Sequence, residues 1–135
     1  MSAPVNEGDT FGPVDMTPDL GRVIRFCGLT WGFPPFFYDL EAARKNGMES
    51  TLVPGPFKLG LLAGAVETWL DGRGYVRKVR AAHRRPDFTG NPVGLTGTVS
   101  RVYEEDGATR ADLELAVLNG EQQPSVRGFA TVEFD

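Results

Sequence analysis

The sequence predicts an α+β fold in which an antiparallel β-sheet wraps a long central α-helix. Three observations carry that expectation. Helical patterning is confined to the part of the chain before Gly74, whereas the part after it alternates β-branched and polar residues between turn clusters. Residues 56–70 carry the strongest three-and-four apolar spacing, the mark of a helix packed on a core. Two glycines inside that helix, Gly60 and Gly64, each cost about 1 kcal/mol relative to alanine and imply close backbone approach by a sheet. At 135 residues, 41% apolar and 24% charged, the chain suits a single domain over residues 1–135 with one core.

The elements follow in order. After an extended opening, Thr17-Pro18-Asp19 reads as an N-cap, a proline at the first helical position and an acid in the first turn. That helix runs toward Leu29, with Leu20, Ile24 and Leu29 on its apolar face. Two adjacent prolines keep residues 30–38, TWGFPPFFY, out of regular helix and make them a rigid aromatic loop. Asp39 reads as the N-cap of a short helix, DLEAARKN, with Arg44 and Lys45 near its end and Gly47 as its stop. A short strand over 50–53 follows. In the central helix, Phe57, Leu61, Leu62, Ala65, Val66 and Trp69 share one broad face, while Gly60, Ala63 and Gly64 thin another. Residues 75–82, 93–103, 109–117 and 126–134 read as four strands of an antiparallel meander.

Composition narrows function before any motif does. With 14 Lys plus Arg against 18 Asp plus Glu, the net charge of -4 argues against a nucleic-acid or anionic-membrane surface. The one cysteine, Cys27, rules out an internal disulfide and is expected to be a buried, inert thiol. The one histidine, His83, excludes mechanisms that need two and, with Cys27, any Cys/His zinc cluster. The opening MSAPVNEGDTFGP lacks the basic start and apolar run of a secretory signal, and 57–70 is too short to span a bilayer, so a cytoplasmic address is expected. Against the negative total, Arg73, Arg77, Lys78, Arg80, His83, Arg84 and Arg85 concentrate positive charge, which suits a polyanionic ligand or an acidic partner surface.

Three collinear stretches carry a family resemblance. They are Arg25-Phe26-Cys27-Gly28-Leu29-Thr30 with Phe36-Phe37-Tyr38-Asp39 and Ala42-Ala43, then Val53-Pro54-Gly55-Pro56, then Arg85-Pro86-Asp87-Phe88-Thr89-Gly90-Asn91 ahead of 93–99. Together they resemble the MaoC-like (R)-specific enoyl-CoA hydratase and acyl dehydratase family, from about Gly8 to Phe134. The resemblance implies a single hot-dog fold and chemistry on acyl-CoA or acyl-carrier thioesters, with the thioester as substrate or ligand and no further cofactor or metal. It also implies that backbone donors at the start of the central helix, at Gly55-Pro56, receive the thioester carbonyl.

The departure from the family pattern is specific. The family's catalytic loop has the form D.NP.H.D. Placing Asp39 on its last acid and Pro35 on its proline puts Gly32 where the catalytic Asp belongs and Phe37 where the catalytic His belongs. Neither can move a proton, and TWGFPPFF contains no acid, base or amide. The remaining titratable candidates for catalysis are Tyr38, Asp39 and His83, although Asp39 fits a helix cap and Tyr38 a rim position. Trp31, Gly32, Phe36, Phe37, Tyr38, Pro54, Gly55 and Phe57 are expected to bind substrate, since five aromatics in eight residues exceed what a loop anchor needs. Arg84 and Arg85 beside His83 are candidates for the CoA phosphates, or else a solvated strand end.

These features support a non-catalytic, pocket-shaping subunit of a heteromeric hydratase or dehydratase, in a heterodimer or heterotetramer with a catalytic hot-dog subunit. Two alternatives stand beside it. One is a homodimeric enzyme of altered chemistry, an isomerase, cyclase or dehydratase on a bulky hydrophobic or polyketide-like substrate. The other is an acyl-CoA-binding scaffold.

Overall fold

A computed structural model describes residues 4–135. Residues 1–3, the start of the stretch read as lacking a secretory signal, lie outside the described residues. The elements run β1 (Thr10–Met16), α1 (Leu20–Thr30), a 3-10 turn (Pro35–Phe37), α2 (Leu40–Lys45), α3 (Gly55–Leu70), β2 (Gly74–His83), β3 (Val93–Glu105), β4 (Ala108–Leu118) and β5 (Pro124–Phe134). The five strands form one antiparallel sheet in the order β1-β3-β4-β5-β2, curled around α3 as expected.

Local chemistry explains most boundaries. Asp106 and Gly107 both take positive φ, 52° and 78°, the geometry of a two-residue hairpin loop whose twist matches the flanking strands β3 and β4. Asn119 closes the β4–β5 turn by accepting the Glu121 and Gln123 N–H groups on its side-chain oxygen. Asp39 caps α2 through the N–H groups of Glu41 and Ala42, as its position before LEAARK predicts. Leu62, Val66 and Leu70 of α3 bury against Val99, Leu113, Leu115, Val117, Val126, Ala130 and Val132 of the sheet, and this is the core.

Several expectations are corrected. The N-cap of α1 is Asp19, whose carboxylate accepts the Arg22 N–H at 2.8 Å; Thr17 and Pro18 precede the helix. The buried face of α1 is Val23 and Cys27, and Leu20, Ile24 and Leu29 point outward, because both stripes satisfy the same helical spacing. Residues 50–53 are not a strand but make one isolated bridge, Leu52 to Phe88. The four later strands do not form a simple meander. Only β3-β4-β5 do, while β2 crosses to the far side of β5 and β1, an unexpected strand, closes the other edge on β3.

Gly60 and Gly64 do not admit the sheet. They are exposed and, with Phe11, Leu61, Ala65, Trp69 and Leu95, line an apolar groove of about 440 Å3 between α3 and β1. The glycine that permits the close approach is Gly128 of β5, where a Cβ would lie 3.1 Å from the Leu62 side chain. Within the expected apolar face of α3, Leu62 and Val66 are fully buried, and Leu61, Ala65 and Trp69 pack at its margins.

Lys58, which interrupts the apolar run in the sequence, is buried in the first turns of α3. Its ammonium donates to Asp87 Oδ2 at 3.1 Å and to the Arg85 carbonyl at 3.2 Å. A buried ion loses its hydration and is tolerated only when paired with good geometry. Asp87→Leu, which strands the lysine, should therefore lower unfolding free energy by about 3–5 kcal/mol in urea melts, and Lys58→Met/Asp87→Leu should recover most of that loss. Equal loss in the single and double variants would show that the pair is not what stabilises this corner.

Candidate functional site

The start of α3 is the natural place to build a site. Pro54 caps it without a side-chain hydrogen bond and Pro56 has no N–H to give, so the Gly55 and Phe57 N–H groups make no hydrogen bond among the described residues. Two free donors at the positive end of a helix can receive a carbonyl or an anion.

The end of β2 is folded over this helix start. Arg84 and Arg85 both donate their backbone N–H groups to the Ser125 carbonyl, at 2.7 and 3.1 Å, which turns the chain back after His83. The His83 imidazole comes to rest on Gly55: a Cβ there would lie 3.0 Å from Nε2 and 3.2 Å from Cε1. A side chain at this position would press on the ring, which would have to shift by a few tenths of an ångström to admit it. Leu52, Val53, Gly55, Lys58, His83, Arg84, Arg85 and Pro86 line a hollow of about 310 Å3. Burial pushes the His83 pKa down, and the neighbouring Lys58 ammonium adds to the effect. The imidazole therefore favours its neutral form, able to accept a proton at one nitrogen and donate at the other.

The aromatic loop is built differently from the hollow. Trp31 ends α1 in the left-handed conformation, φ 54°, with the Gly32 N–H reaching back to the Cys27 carbonyl. Its indole stands 86% exposed, edge-on to the half-exposed Phe33. Phe36 and Phe37 pack edge to face on the 3-10 turn and are half-buried, and the Phe36 carbonyl accepts the Leu52 N–H at 3.0 Å, which ties the loop to the strap ahead of α3. Tyr38 lies at the rim and donates its hydroxyl to the Phe33 carbonyl at 3.2 Å. Phe57 meets Phe26 of α1 edge-on at 5.5 Å, so the start of α3 is braced from that side.

Of the sequence-derived candidates, the structure brings together Gly55, His83, Arg84 and Arg85, with Pro54 and Phe57 adjoining. Trp31, Gly32, Phe36, Phe37 and Tyr38 do not line this hollow. Asp39 is engaged in capping α2, and Cys27 is buried with its pKa raised by desolvation, consistent with an inert thiol. Sequence reasoning missed Leu52, Val53, Lys58 and Pro86 as walls. The one available signal for Lys58 was a lone cation in an apolar run.

The seven basic residues do not form one field. Arg73 folds back on the end of α3, over the Trp69 and Phe134 rings, and donates to the Leu70 and Trp69 carbonyls. Arg77 pairs with Glu133 at 3.0 Å. Lys78 and Arg80 lie on the outer face of β2, and only His83, Arg84 and Arg85 reach the hollow.

No family model matches the sequence, and no curated protein matches it. Solved structures do. The (R)-hydratase from A. caviae involved in PHA biosynthesis is 20% identical and superposes with a TM-score of 0.90 over 99% of this chain and 100% of that one. A MaoC-like dehydratase from Rhodospirillum rubrum is 18% identical, TM-score 0.82, over 96% and 92% of the two chains. The HadBC (3R-hydroxyacyl-ACP dehydratase) complex from Mycobacterium tuberculosis is 18% identical, TM-score 0.81, over 94% and 96%. The likeness establishes the fold: this chain is a hot dog of the kind seen in MaoC-like dehydratases and (R)-hydratases.

Because the folded state favours the neutral His83 ring, its NMR titration midpoint should fall below the ordinary histidine value. The corresponding stability is present above that value and is lost as pH falls through it and on toward the depressed midpoint. Lys58→Gln, which removes the neighbouring cation and leaves the Asp87 carboxylate in place, should raise the midpoint. A midpoint at or above the ordinary value in the native protein would contradict the ring's placement.

Proposed function

We propose that this chain is a MaoC-like subunit that binds acyl thioesters, acyl-CoA or acyl-carrier-bound, in a cytoplasmic hydratase or dehydratase whose acid/base pair lies on a second hot-dog subunit. The observation that carries the reading is the loop from Trp31 to Phe37, which sits between α1 and α2 but offers glycine and phenylalanine where the family pattern needs a carboxylate and an imidazole. Binding apparatus remains beside it. The free Gly55 and Phe57 N–H groups suit a thioester carbonyl and would polarise it, stabilising charge that develops on the oxygen as the neighbouring carbon gains or loses a proton. Arg84 and Arg85 stand at the same hollow and suit the phosphates of the carrier arm. The HadBC neighbour, itself a complex of dehydratase subunits, is in keeping with a divided arrangement.

One observation favours a second reading, an enzyme of altered chemistry acting alone. His83, with its lowered pKa, lies on Gly55 and could serve as the proton-transfer group from β2 in place of the loop.

Hydration of a trans-2-enoyl-CoA by the purified chain separates the two. The heteromeric reading expects acyl-CoA binding by calorimetry and no turnover above background, with a second hot-dog subunit in native mass spectra of the protein taken from its own host. Turnover that disappears in His83→Gln would establish the second reading, and turnover that survives it would overturn both.

A further inference from the structure

Most of the large apolar side chains that the described residues leave in water belong to α1 and the loop after it. Leu29 is 83% exposed and Trp31 86%, and Leu20, Ile24, Phe33 and Tyr38 are exposed as well. At about 3.6 residues per turn, Ile24 lies one turn beyond Leu20, and Trp31 at the C-cap continues the same line. Val23 and Cys27 hold the buried side of the helix, so this stripe faces outward beside them. Neither the hollow at Gly55 nor the groove at Gly60 is lined by any of these six residues.

Trp31 is held there against its own preference. It ends α1 at φ 54°, the left-handed conformation that a helix end ordinarily gives to glycine, while the glycine of this sequence follows one position later at Gly32. The indole meets only the Phe33 ring edge-on, at 5.9 Å, and otherwise stands in water. A strained, projecting indole that packs into no core is the kind of residue retained for contact with something outside the chain.

The charge beside the stripe differs in sign from the chain as a whole. From Leu20 to Tyr38 the sequence LGRVIRFCGLTWGFPPFFY contains no aspartate or glutamate, although the net charge of the protein is -4. It contains two arginines, Arg22 and Arg25, both exposed. Arg25 forms no ion pair among the described residues, and Arg22 makes only an exposed one, 3.5 Å from Asp19.

A protein partner would need a concavity shaped to these projecting side chains, whereas a lipid headgroup layer adapts to them. That layer favours tryptophan and tyrosine at the boundary of water and hydrocarbon, admits leucine and phenylalanine below it, and, when anionic, attracts neighbouring cations. No helix of the described residues is long and apolar enough to cross a membrane, so the contact is with a surface.

We propose that the outer face of α1 and the loop from Trp31 to Tyr38 dock on an anionic lipid bilayer, with Leu29, Trp31 and Phe33 entering the headgroup layer and Arg22 and Arg25 meeting lipid phosphates. The proposal stands apart from the thioester reading and uses none of the groups at the Gly55 hollow.

The full chain is sedimented with vesicles of mixed phosphatidylcholine and phosphatidylglycerol, and with vesicles of phosphatidylcholine alone. We expect stronger binding to the mixed vesicles and a blue shift of tryptophan emission that Trp31→Ser abolishes, since the other tryptophan, Trp69, packs against Phe11 and Phe134 under Arg73. Leu29→Ser/Trp31→Ser should weaken binding at least about tenfold through lost apolar burial. Arg25→Gln should weaken it about fivefold, the effect of one cation near an anionic leaflet. Circular dichroism checks that each variant keeps the native fold, and Arg25→Gln alone suffices if the serine variants do not. No binding to the mixed vesicles, no preference for them, or equal binding by the native chain and the variants overturns the proposal. Self-association on gel filtration that Trp31→Ser abolishes, with no vesicle binding, also overturns it and assigns the patch to a second copy of the chain. The assay contains no thioester, so its failure leaves acyl-CoA binding by calorimetry to be judged separately.

Discussion

A lysine and an aspartate, both almost wholly withdrawn from water, hold the candidate site to the fold. Lys58 belongs to the central helix and Asp87 to the connection between β2 and β3, so their 3.1 Å contact joins parts of the chain that no secondary structure unites. Around it a short strap forms. Val53 donates to the Asp87 carbonyl, Thr89 donates to the Thr51 carbonyl, the two threonine hydroxyls bond each other, and Leu52 bridges to Phe88. Gly90 reaches the Pro18 carbonyl ahead of α1. Because water cannot replace a buried partner at low cost, this corner has one arrangement, and the positions of Gly55, His83, Arg84 and Arg85 follow from it.

The site is thus a meeting of a helix start with a strand end. Helix α3 contributes direction and free donors; the last residue of β2 contributes an imidazole, and the turn after it brings Arg84 and Arg85 to the same hollow. Neither half has these properties alone. The residue that joins them is Gly55, whose missing side chain admits the ring of His83. The aromatic loop is a separate feature, anchored at Phe36 and spread outward at Trp31 and Phe33, and with Leu20, Ile24, Leu29 and Leu40 it leaves an unusually apolar surface on the α1 side.

What the sequence makes legible is what depends on neighbours along the chain. The span of α3, the Asp39 cap, the aromatic loop and the four later strands all rest on local spacing or local hydrogen bonds, and all stand in the structure. What it hides is pairing at a distance. The Lys58–Asp87 partnership spans 29 residues, so Lys58 read only as a break in an apolar run. Val23 and Cys27 compete with Leu20 and Ile24 for the inner face of α1, and spacing alone does not choose between them. In β1, TFGPVDM, the glycine and proline interrupt the alternation that would mark a strand, and the pairing with β3 accommodates them as a shift in register. Likewise, nothing near His83 in sequence announces Gly55; only the curl of the sheet around α3 brings them together.

The strand order carries a consequence for how the chain reaches this structure. The pairings β3-β4 and β4-β5 join strands connected by short turns, whereas the two outer strands close over long separations, Phe11 onto Gly97 and Gly74 onto Phe134. Loop-closure entropy makes such distant pairings the slow events of folding. The middle of the sheet is therefore the part that can form early and locally, and its hydrophobic inner face waits for α3 and the two flanking strands. Until they arrive, Leu113, Leu115 and Val117 face water, and the early hairpins are the species of this chain most exposed to aggregation.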